Sequence, residues 1–297
     1  MEEQFAGNSD RITRAYFDSL LLEMRHIDGR VPDTTFCLYG KTFDTPIMTA
    51  ALSHLDHLRP HSMTEIARGV AMARAVNWVG MGEKEELERI AEIPAQTIKI
   101  IKPYADNQMI LDKIAHAEKC GCLAVGIDID HAFDSTGEYD NIHSHAMCSK
   151  SPEEIKEFAS STPLPFIVKG VLSERDAYQC LCAGAGGIVV SHHHGIMDYA
   201  VPPLMILPDI LRAINREIPV FVDCGIASGM DAFKALALGA TAVCTGRAVM
   251  PSLKESGADG VRDILLTMTR QLKGVMAKTG CYDLNHMDAT VLRHRTF

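Results

Sequence analysis

Short apolar runs that end in polar residues recur along the chain. The second half contains four of them: PFIVKG, GIVVSHHHG, PVFVDCG and TAVCTGR, the last closing on Gly246 and Arg247. Four more precede them: TPIMTA, VNWVGMG, QTIKII and LAVGIDID. Apolar runs of this length are typical of buried strands, and the segments between them have helical spacing. Eight strands that alternate with helices predict an α/β fold, a (β/α)8 TIM barrel.

The spacing of apolar residues also locates the helices. An amphipathic helix is expected over residues 10–25, where Ile12, Tyr16, Leu20 and Met24 share one face, and it would pack across an end of the barrel. Outer helices are predicted over 64–75, 83–91, 108–119, 173–183, 203–215, 229–237 and 259–278. Another begins at Ser151, which precedes Pro152 and two glutamates as a capping residue does. The one long irregular segment, 131–150, fits a functional lid and a mobile surface loop equally well.

Length and composition narrow the class of protein. The chain has 297 residues, which suits one barrel of roughly 250 residues with additions. We expect a helical extension over 1–40 and the barrel over 41–297. Hydrophobic residues make up 47% of the chain, yet no run approaches the roughly 20 apolar residues that span a bilayer. A net charge of -9 disfavours nucleic acid as a partner and leaves a small-molecule substrate.

The cysteines and the N-terminus suggest a compartment. Nine cysteines are an odd number, and several, such as Cys182 and Cys244, lie in apolar runs, which favours reduced thiols. The first residues, MEEQFAGNSDRITR, lack the apolar segment of a secretory signal. We therefore expect a cytoplasmic protein.

The polar ends of the second-half strands carry chemistry. They place Lys169, a run of three histidines, Asp223 and the Gly246–Arg247 pair after successive strands. The carboxyl ends of parallel barrel strands surround one opening, so these groups should meet there. The pattern predicts an enzyme active site with a basic side, a titratable imidazole and an anion-binding turn.

These residues also resemble a known family. The segments VKGVLSERDA, GGIVVSHHHG and VDCGIASGMDAFKALALGATAVCTGRAVM are similar to the C-terminal half of the FMN-dependent α-hydroxy acid oxidases and dehydrogenases. The likeness is specific over 165–253 and weaker in LYGKTFDTPIMTAA and LAVGIDID. It implies a flavin barrel in which a histidine deprotonates the substrate hydroxyl and the hydride passes to FMN. It also implies a homo-oligomer, a tetramer packed through outer helices.

The resemblance assigns roles to residues. His193 matches the base, Asp130 the carboxylate that orients it, and Lys169 the cation beside the flavin N1 and C2 carbonyl. The expected FMN contacts are Thr49, Ala50, Gly80, Lys99, Asp128, Lys169, Ser191, Asp223, Gly225, Gly246 and Arg247. Glycine permits close approach of the backbone to the phosphate, and an arginine adds charge-assisted hydrogen bonds. No residue is assigned to a metal.

The sequence departs from the family on the substrate side. The family's base loop carries an arginine that grips the substrate carboxylate, whereas here the loop continues Gly195, Ile196, Met197. A second arginine, expected after the fourth strand, has no counterpart near 131–135. The third-strand Gln and Tyr positions are read as Lys99 and Ile101, and a phosphate-side arginine as Ala227. The family's N-terminal segment, with its substrate-binding Tyr, is also expected to be missing. Without the bidentate clamp we expect a changed substrate.

Two other functions stay open at this point. A redox-neutral metal-dependent lyase or isomerase would use Asp128, Asp130 or His131 together with His143, His145 or the histidines at 192–194 around Zn²⁺, Mn²⁺ or Fe²⁺. A non-catalytic barrel would have kept the phosphate pocket and lost the chemistry along with the arginines.

Overall fold

Eight parallel strands form the centre of the protein in a computed structural model, which describes residues 7–295. They are β1 (Ile47–Thr49), β2 (Val76–Val79), β3 (Gln96–Ile101), β4 (Ala124–Asp128), β5 (Phe166–Val171), β6 (Gly187–Val190), β7 (Val220–Val222) and β8 (Ala242–Thr245). Each pairs in parallel with its neighbours in the order β1-β8-β7-β6-β5-β4-β3-β2. A parallel bridge between Leu52 and Val79 joins the two outermost strands. The sheet is therefore closed, and the predicted barrel is confirmed.

Eight helices surround the sheet. They are α1 (Ser62–Met72), α2 (Lys84–Ala91), α3 (Asn107–Lys119), α4 (Pro152–Ser160), α5 (Glu174–Cys182), α6 (Pro203–Ala213), α7 (Gly229–Ala237) and α8 (Met250–Thr279). The expected cap of α4 is present as a reciprocal capping box between Ser151 and Glu154. Helix α8 begins nine residues before the predicted 259–278 segment and is broken at Gly257, whose backbone is non-helical (φ 57°, ψ -135°). That break interrupts the apolar spacing and hides the first part of the helix.

The N-terminal helix is shorter than the predicted 10–25. It spans Ser9–Ser19, and the next residues, Leu20–Leu22, pair antiparallel with Leu292–His294 at the other end of the chain. Pairing with this distant segment overrides the local helical spacing. The helix lies against the carboxyl ends of β6 and β7, where Phe17 and Thr13 pack beside Gly225.

A hairpin closes the opposite end of the barrel. Its strands, Phe36–Leu38 and Lys41–Phe43, pair antiparallel. Their apolar side chains join Trp78, Phe221 and other inward-facing residues in one buried cluster. The cavity is consequently left at the carboxyl end of the strands, where barrel enzymes carry their sites. In the described part of the chain, no helix combines the length and the apolar character needed to cross a membrane.

Candidate active site

A cavity of about 460 Å³ opens at the carboxyl end of the barrel. Its walls come from the ends of all eight strands and from the loop between β4 and α4. The residues that line it include Ala50, Leu52, His54, Gly80, Met81, Ile100, Lys102, Asp128, His131, Ile142, His143, Lys169, His193, His194, Asp223, Cys224 and Arg247. The loop over 131–150 carries a short hairpin, Asn141–Ile142 with His145–Ala146. Ile142 and His143 of this hairpin border the cavity, so the segment takes part in the site.

Lys169 is the buried cation of the cavity. It lies near the end of β5 with 5% of its surface exposed, and its Nζ is 3.6 Å from Asp128 Oδ1, 3.7 Å from Asp223 Oδ2 and 4.0 Å from Asp130 Oδ2. Burial alone lowers the pKa of an ammonium group, but the three carboxylates outweigh it and raise the pKa of Lys169 above its ordinary value. The lysine is therefore charged at every physiological pH.

Glycine is required beside this lysine. Gly170 has a φ of 93°, and a β carbon there would lie 2.6 Å from the Asp130 carboxyl group. The register of β5 against β6 also shifts between Lys169 and Val171. The irregular turn of backbone makes room for Asp130 next to Lys169.

His193 is held by a carboxylate. Its Nδ1 lies 2.9 Å from Asp130 Oδ1 and 3.4 Å from Asp128 Oδ2. We assign the hydrogen to Nδ1, which donates it to Asp130, because carboxylates only accept. Burial opposes the charged imidazole, but hydrogen bonds to Asp128 and Asp130 prevail and raise the pKa of His193 to about 9. This histidine and carboxylate are thus arranged as a base and its orienting group.

The pKa values of the two carboxylates are shifted in opposite directions. Burial and the neighbouring charge of Asp128 raise the pKa of Asp130 to about 6. The pKa of Asp128 stays well below its ordinary value, because Lys169, His193 and Lys102 outweigh its burial. One oxygen of each, Asp128 Oδ1 and Asp130 Oδ2, is buried without a hydrogen-bond partner. Both oxygens lie within 4.0 Å of the Lys169 ammonium, which supplies their countercharge.

The loop after β6 fixes the base. Ser191 Oγ accepts a hydrogen bond from the His193 backbone N–H at 3.1 Å. His192 is buried, with its Nε2 2.7 Å from Thr13 Oγ1 and its Nδ1 accepting from Gly195 N–H at 2.9 Å. His193 itself adopts a left-handed backbone (φ 47°), a strained state that persists only when its surroundings impose it. His192 is therefore a structural residue that ties the base loop to the N-terminal helix.

A smaller cavity of about 90 Å³ continues from the first between β7 and β8. Gly225, Gly246 and Arg247 line it, as the sequence predicts for a phosphate-binding turn, and Ala227 adds no charge. Arg247 Nη1 forms an ion pair with Asp10 Oδ2 of the N-terminal helix at 2.8 Å. The cavity offers an anion one guanidinium group and backbone N–H groups that it can approach closely. The carboxylate of Asp10 competes with the anion for that guanidinium.

Three predicted cofactor contacts line neither cavity: Ser191, which holds the base loop, Lys99 and Thr49. Lys99 points away from the barrel interior and its ammonium donates to the Gly80 carbonyl. Burial lowers the pKa of Lys99 to about 8. Thr49 also faces outward, where its Oγ1 accepts from the Trp78 backbone N–H at 3.1 Å. Strand residues alternate between faces, so Ile98 and Ile100 face inward where Lys99 was expected, and Ile101 lines the cavity at the end of β3.

Two residues of the cavity were not assigned to a flavin site by the sequence. Lys102 lies just beyond β3 and donates to Asp128 Oδ2 at 2.9 Å. His131 follows Asp130 directly, and its Nε2 is 2.9 Å from Nε2 of His193. The signal for His131 was its place beside Asp130, but only the fold shows that it reaches the base.

The metal-enzyme alternative predicted part of this geometry. Ligand atoms of Asp128, Asp130, His131 and His193 lie within 4.8 Å of one another. His145 is not among them, since its ring packs against Tyr104 outside the cavity lining. Lys169 and Lys102 already neutralise the two carboxylates, which disfavours a further cation there.

The barrel, the buried lysine, the oriented histidine and the adjoining anion pocket define a flavin-type oxidoreductase site. The family model of the FMN-dependent dehydrogenases matches residues 4–150 and 135–294. The chain belongs to this family and is an FMN-dependent oxidoreductase.

Curated relatives agree. A peroxisomal (S)-2-hydroxyacid oxidase of Arabidopsis thaliana is 39% identical over 288 residues, covering 86% of this chain and 79% of the relative. The 4-hydroxymandelate oxidase of Amycolatopsis orientalis is 29% identical over 282 residues, 84% of this chain and 79% of the relative. Glycolate oxidase of Spinacia oleracea is 27% identical over 318 residues, which cover 95% of this chain and 85% of the relative. These relatives favour neither the metal enzyme nor the non-catalytic barrel.

Solved structures show the same fold. A mandelate oxidase with 3,3-difluoro-2-hydroxy-3-phenylpropionic acid superposes with a TM-score of 0.88 at 27% identity, covering 98% of this chain and 92% of that one. A mandelate oxidase mutant with the monooxide FMN adduct superposes with a TM-score of 0.87 at 28% identity, covering 98% of this chain and 93% of that one.

The residues present fit FMN. Lys169 offers a buried cation for the ring, Asp223 an acceptor for the hydroxyls of the ribityl chain, and Arg247 a guanidinium for the phosphate. The two cavities share Ala50, His194, Asp223, Cys224 and Arg247, so they form one continuous site from the base to the anion pocket.

Proposed function

We propose that the protein oxidises a small molecule bearing a hydroxyl group, either a 2-hydroxy acid-like compound or a secondary alcohol next to a polar group. The observation that carries the proposal is the contact between Asp130 and His193 beside Lys169 in one cavity. FMN bound in this site would supply the acceptor for the hydride of the substrate carbon.

Side chains of the protein accept and stabilise the proton of the substrate hydroxyl. Nδ1 of His193 is bound to Asp130, so Nε2 is the nitrogen that takes the substrate hydroxyl proton. Asp130 stabilises the imidazolium that forms, and the fixed charge of Lys169 favours an anion on the ring beside it. Because the pKa of His193 is about 9, the base is protonated at neutral pH before substrate arrives. The rate is expected to rise with pH as His193 loses its proton.

The substrate side of the cavity lacks the carboxylate clamp. Among the described lining residues the one arginine is Arg247, at the phosphate end. The polar groups nearer the base are Lys102 and the imidazoles of His54, His131 and His143, beside apolar Met81, Ile100 and Ile142. An ammonium group is a point charge without the fork geometry of arginine. We therefore propose a weak preference for a carboxylate and tolerance of uncharged hydroxyl compounds.

The test compares matched hydroxyl compounds. Mandelate, methyl mandelate and 1-phenylethanol are mixed anaerobically with the FMN-loaded protein, and bleaching of the flavin is followed. We expect bleaching, with mandelate favoured over its ester by less than about tenfold, since a bidentate arginine contact worth about 1.5–3 kcal/mol is missing. The variant His193→Gln should bind FMN and fail to bleach.

Three outcomes would count against parts of the proposal. Preference for mandelate by more than about a hundredfold would show that another group replaces the clamp. Flavin binding without bleaching by any of the three compounds, or by glycolate, would favour a non-catalytic binder. Equal bleaching by His193→Gln would remove His193 as the base.

Assembly and location are further parts of the proposal. We propose a homo-oligomer, a tetramer by family resemblance, and light scattering after gel filtration measures its mass. We also propose a cytoplasmic location, supported by nine cysteines that are all free. Microscopy of the fluorescently tagged protein tests the location.

A further inference from the structure

We infer that His131 is a positioning residue that caps the base: in the absence of substrate it accepts the Nε2 hydrogen of His193, and the substrate hydroxyl must displace it. The inference rests on the proposed function, in which His193 is the base. It adds a competitor for the base nitrogen, built into this chain.

The first support is the contact itself. Nε2 of His131 and Nε2 of His193 are 2.9 Å apart, and the rings meet edge to face with centroids 4.1 Å apart. Two nitrogens at this distance share one hydrogen. Because Nδ1 of His193 is engaged by Asp130, the nitrogen facing His131 is the one that must act on substrate.

The second support is the direction of the hydrogen bond. His131 is faced by Lys102, His193 and Lys169, by the carboxylate of Asp128, and by Asp140, whose Oδ2 lies 3.8 Å from His131 Nδ1. Burial and the charges of Lys102 and His193 lower the pKa of His131 to about 4. His193 is stabilised in its charged form by Asp128 and Asp130. At neutral pH His193 is therefore the donor and His131 the neutral acceptor.

The third support is the position of the pair in the cavity. Both rings line the space that a substrate would enter. A hydroxyl that hands its proton to His193 must come within about 2.6–3.2 Å of Nε2, which is where His131 Nε2 lies. Reaction then requires two changes: His193 loses its Nε2 proton, and His131 moves aside. The cap opposes both.

The cap has a measurable cost. A hydrogen bond that favours the protonated form of His193 about three- to tenfold corresponds to about 0.5–1 pH unit. Removing the acceptor should lower the pKa of His193 by that amount. It should also tighten the binding of a hydroxyl substrate about three- to tenfold, because the substrate no longer competes with His131.

The direct test is a histidine NMR titration of the FMN-loaded protein, which needs no turnover. His131→Leu removes the acceptor, and His131→Gln keeps a carbonyl oxygen at the site. His145→Leu is the matched control, since His145 lies on the same loop outside the cavity lining with its ring against Tyr104. We expect the pKa of His193 to fall in His131→Leu, to recover at least half of the change in His131→Gln, and to stay unchanged in His145→Leu.

The sign of the shift decides the inference. A rise in the pKa of His193 in His131→Leu would mean that His131 donates the hydrogen, and no change would mean that the contact has no influence; either result overturns the cap. A second measurement uses mandelate as the probe and its concentration dependence in anaerobic bleaching. Weaker mandelate binding in His131→Leu would show that His131 binds substrate and would also overturn it. Failure of the proposed function is a separate result, namely no bleaching in the unmodified protein.

Discussion

Replacing Asp130 by Asn tests the coupling between the base and its carboxylate. The pKa of His193 is raised from 6.5 to about 9, a shift of about 2.5 units, equivalent to about 3 kcal/mol in favour of the imidazolium at 1.36 kcal/mol per unit. Two carboxylates contribute, with Asp130 at 2.9 Å and Asp128 at 3.4 Å from Nδ1. Asp128 raises the pKa more strongly than Asp130 does, but removing the Asp130 charge should still take away a substantial part of the shift.

We therefore expect the pKa of His193 to fall by about 1–2 units in Asp130→Asn, because a neutral amide still accepts from Nδ1–H but no longer attracts the positive charge. The same loss weakens the imidazolium that forms during proton abstraction. The limiting rate at high pH should fall about ten- to a hundredfold, while the pH midpoint of the rate moves downward.

The assay is anaerobic flavin bleaching by the fastest of the three test compounds, followed by stopped flow from about pH 6 to about pH 10, around the range in which histidines titrate. Asp112→Asn, an exposed position on α3, is the control and should leave the profile in place. If the pH midpoint of the bleaching rate is unchanged or higher in Asp130→Asn, the assignment of Asp130 as the partner of the base is refuted.

Three further predictions concern an ion pair, a helix cap and a buried lysine. Asp10→Asn should tighten FMN binding about two- to fivefold, measured by fluorescence quenching, because it frees Arg247 from an exposed ion pair; unchanged affinity would argue against Arg247 as the phosphate ligand. Ser151→Ala should lower the free energy of unfolding by about 1 kcal/mol in urea denaturation through loss of the α4 cap, with FMN affinity unaltered. Lys99→Met should leave FMN affinity unchanged, since the Lys99 ammonium donates to the Gly80 carbonyl outside the cavity; weaker FMN binding would restore the original assignment of Lys99 to the cofactor. In the unmodified protein the free energy of unfolding should rise between about pH 8 and pH 10.5, because there the unfolded chain holds the proton that folded Lys99 has lost. Lys99→Met should abolish this rise.

The barrel was predictable because its signals are local. Each strand is a compact apolar run, and helix ends between the strands carry cap or turn residues such as Ser151 and Gly239. The charged residues that meet in the cavity could be named because they sit at carboxyl ends of strands, where a buried lysine or carboxylate has no place in a packed core. Lys169, Asp223 and His193 are all brought to one opening as this argument requires.

The misplaced residues have a physical reason. Along QTIKII the polar Thr97 and Lys99 alternate with Ile98 and Ile100, and the two isoleucines face the barrel interior. Lys99 was assigned to the flavin from the family resemblance, whereas this alternation already places it on the opposite face. The pairing of Leu20–Leu22 with Leu292–His294 joins opposite ends of the chain and is invisible to local spacing. The contact of His131 with the base depends on the path of the β4–α4 loop, which the sequence left open.

The central claim is that this barrel binds FMN and uses His193 to oxidise a hydroxyl compound. The most direct measurement is an absorption spectrum of the purified protein after addition of FMN and removal of the excess, repeated anaerobically with mandelate, methyl mandelate, 1-phenylethanol and glycolate. We predict bound flavin at about one per chain and bleaching by at least one compound, abolished in His193→Gln. A protein that retains no flavin, or that bleaches equally without His193, would contradict the claim.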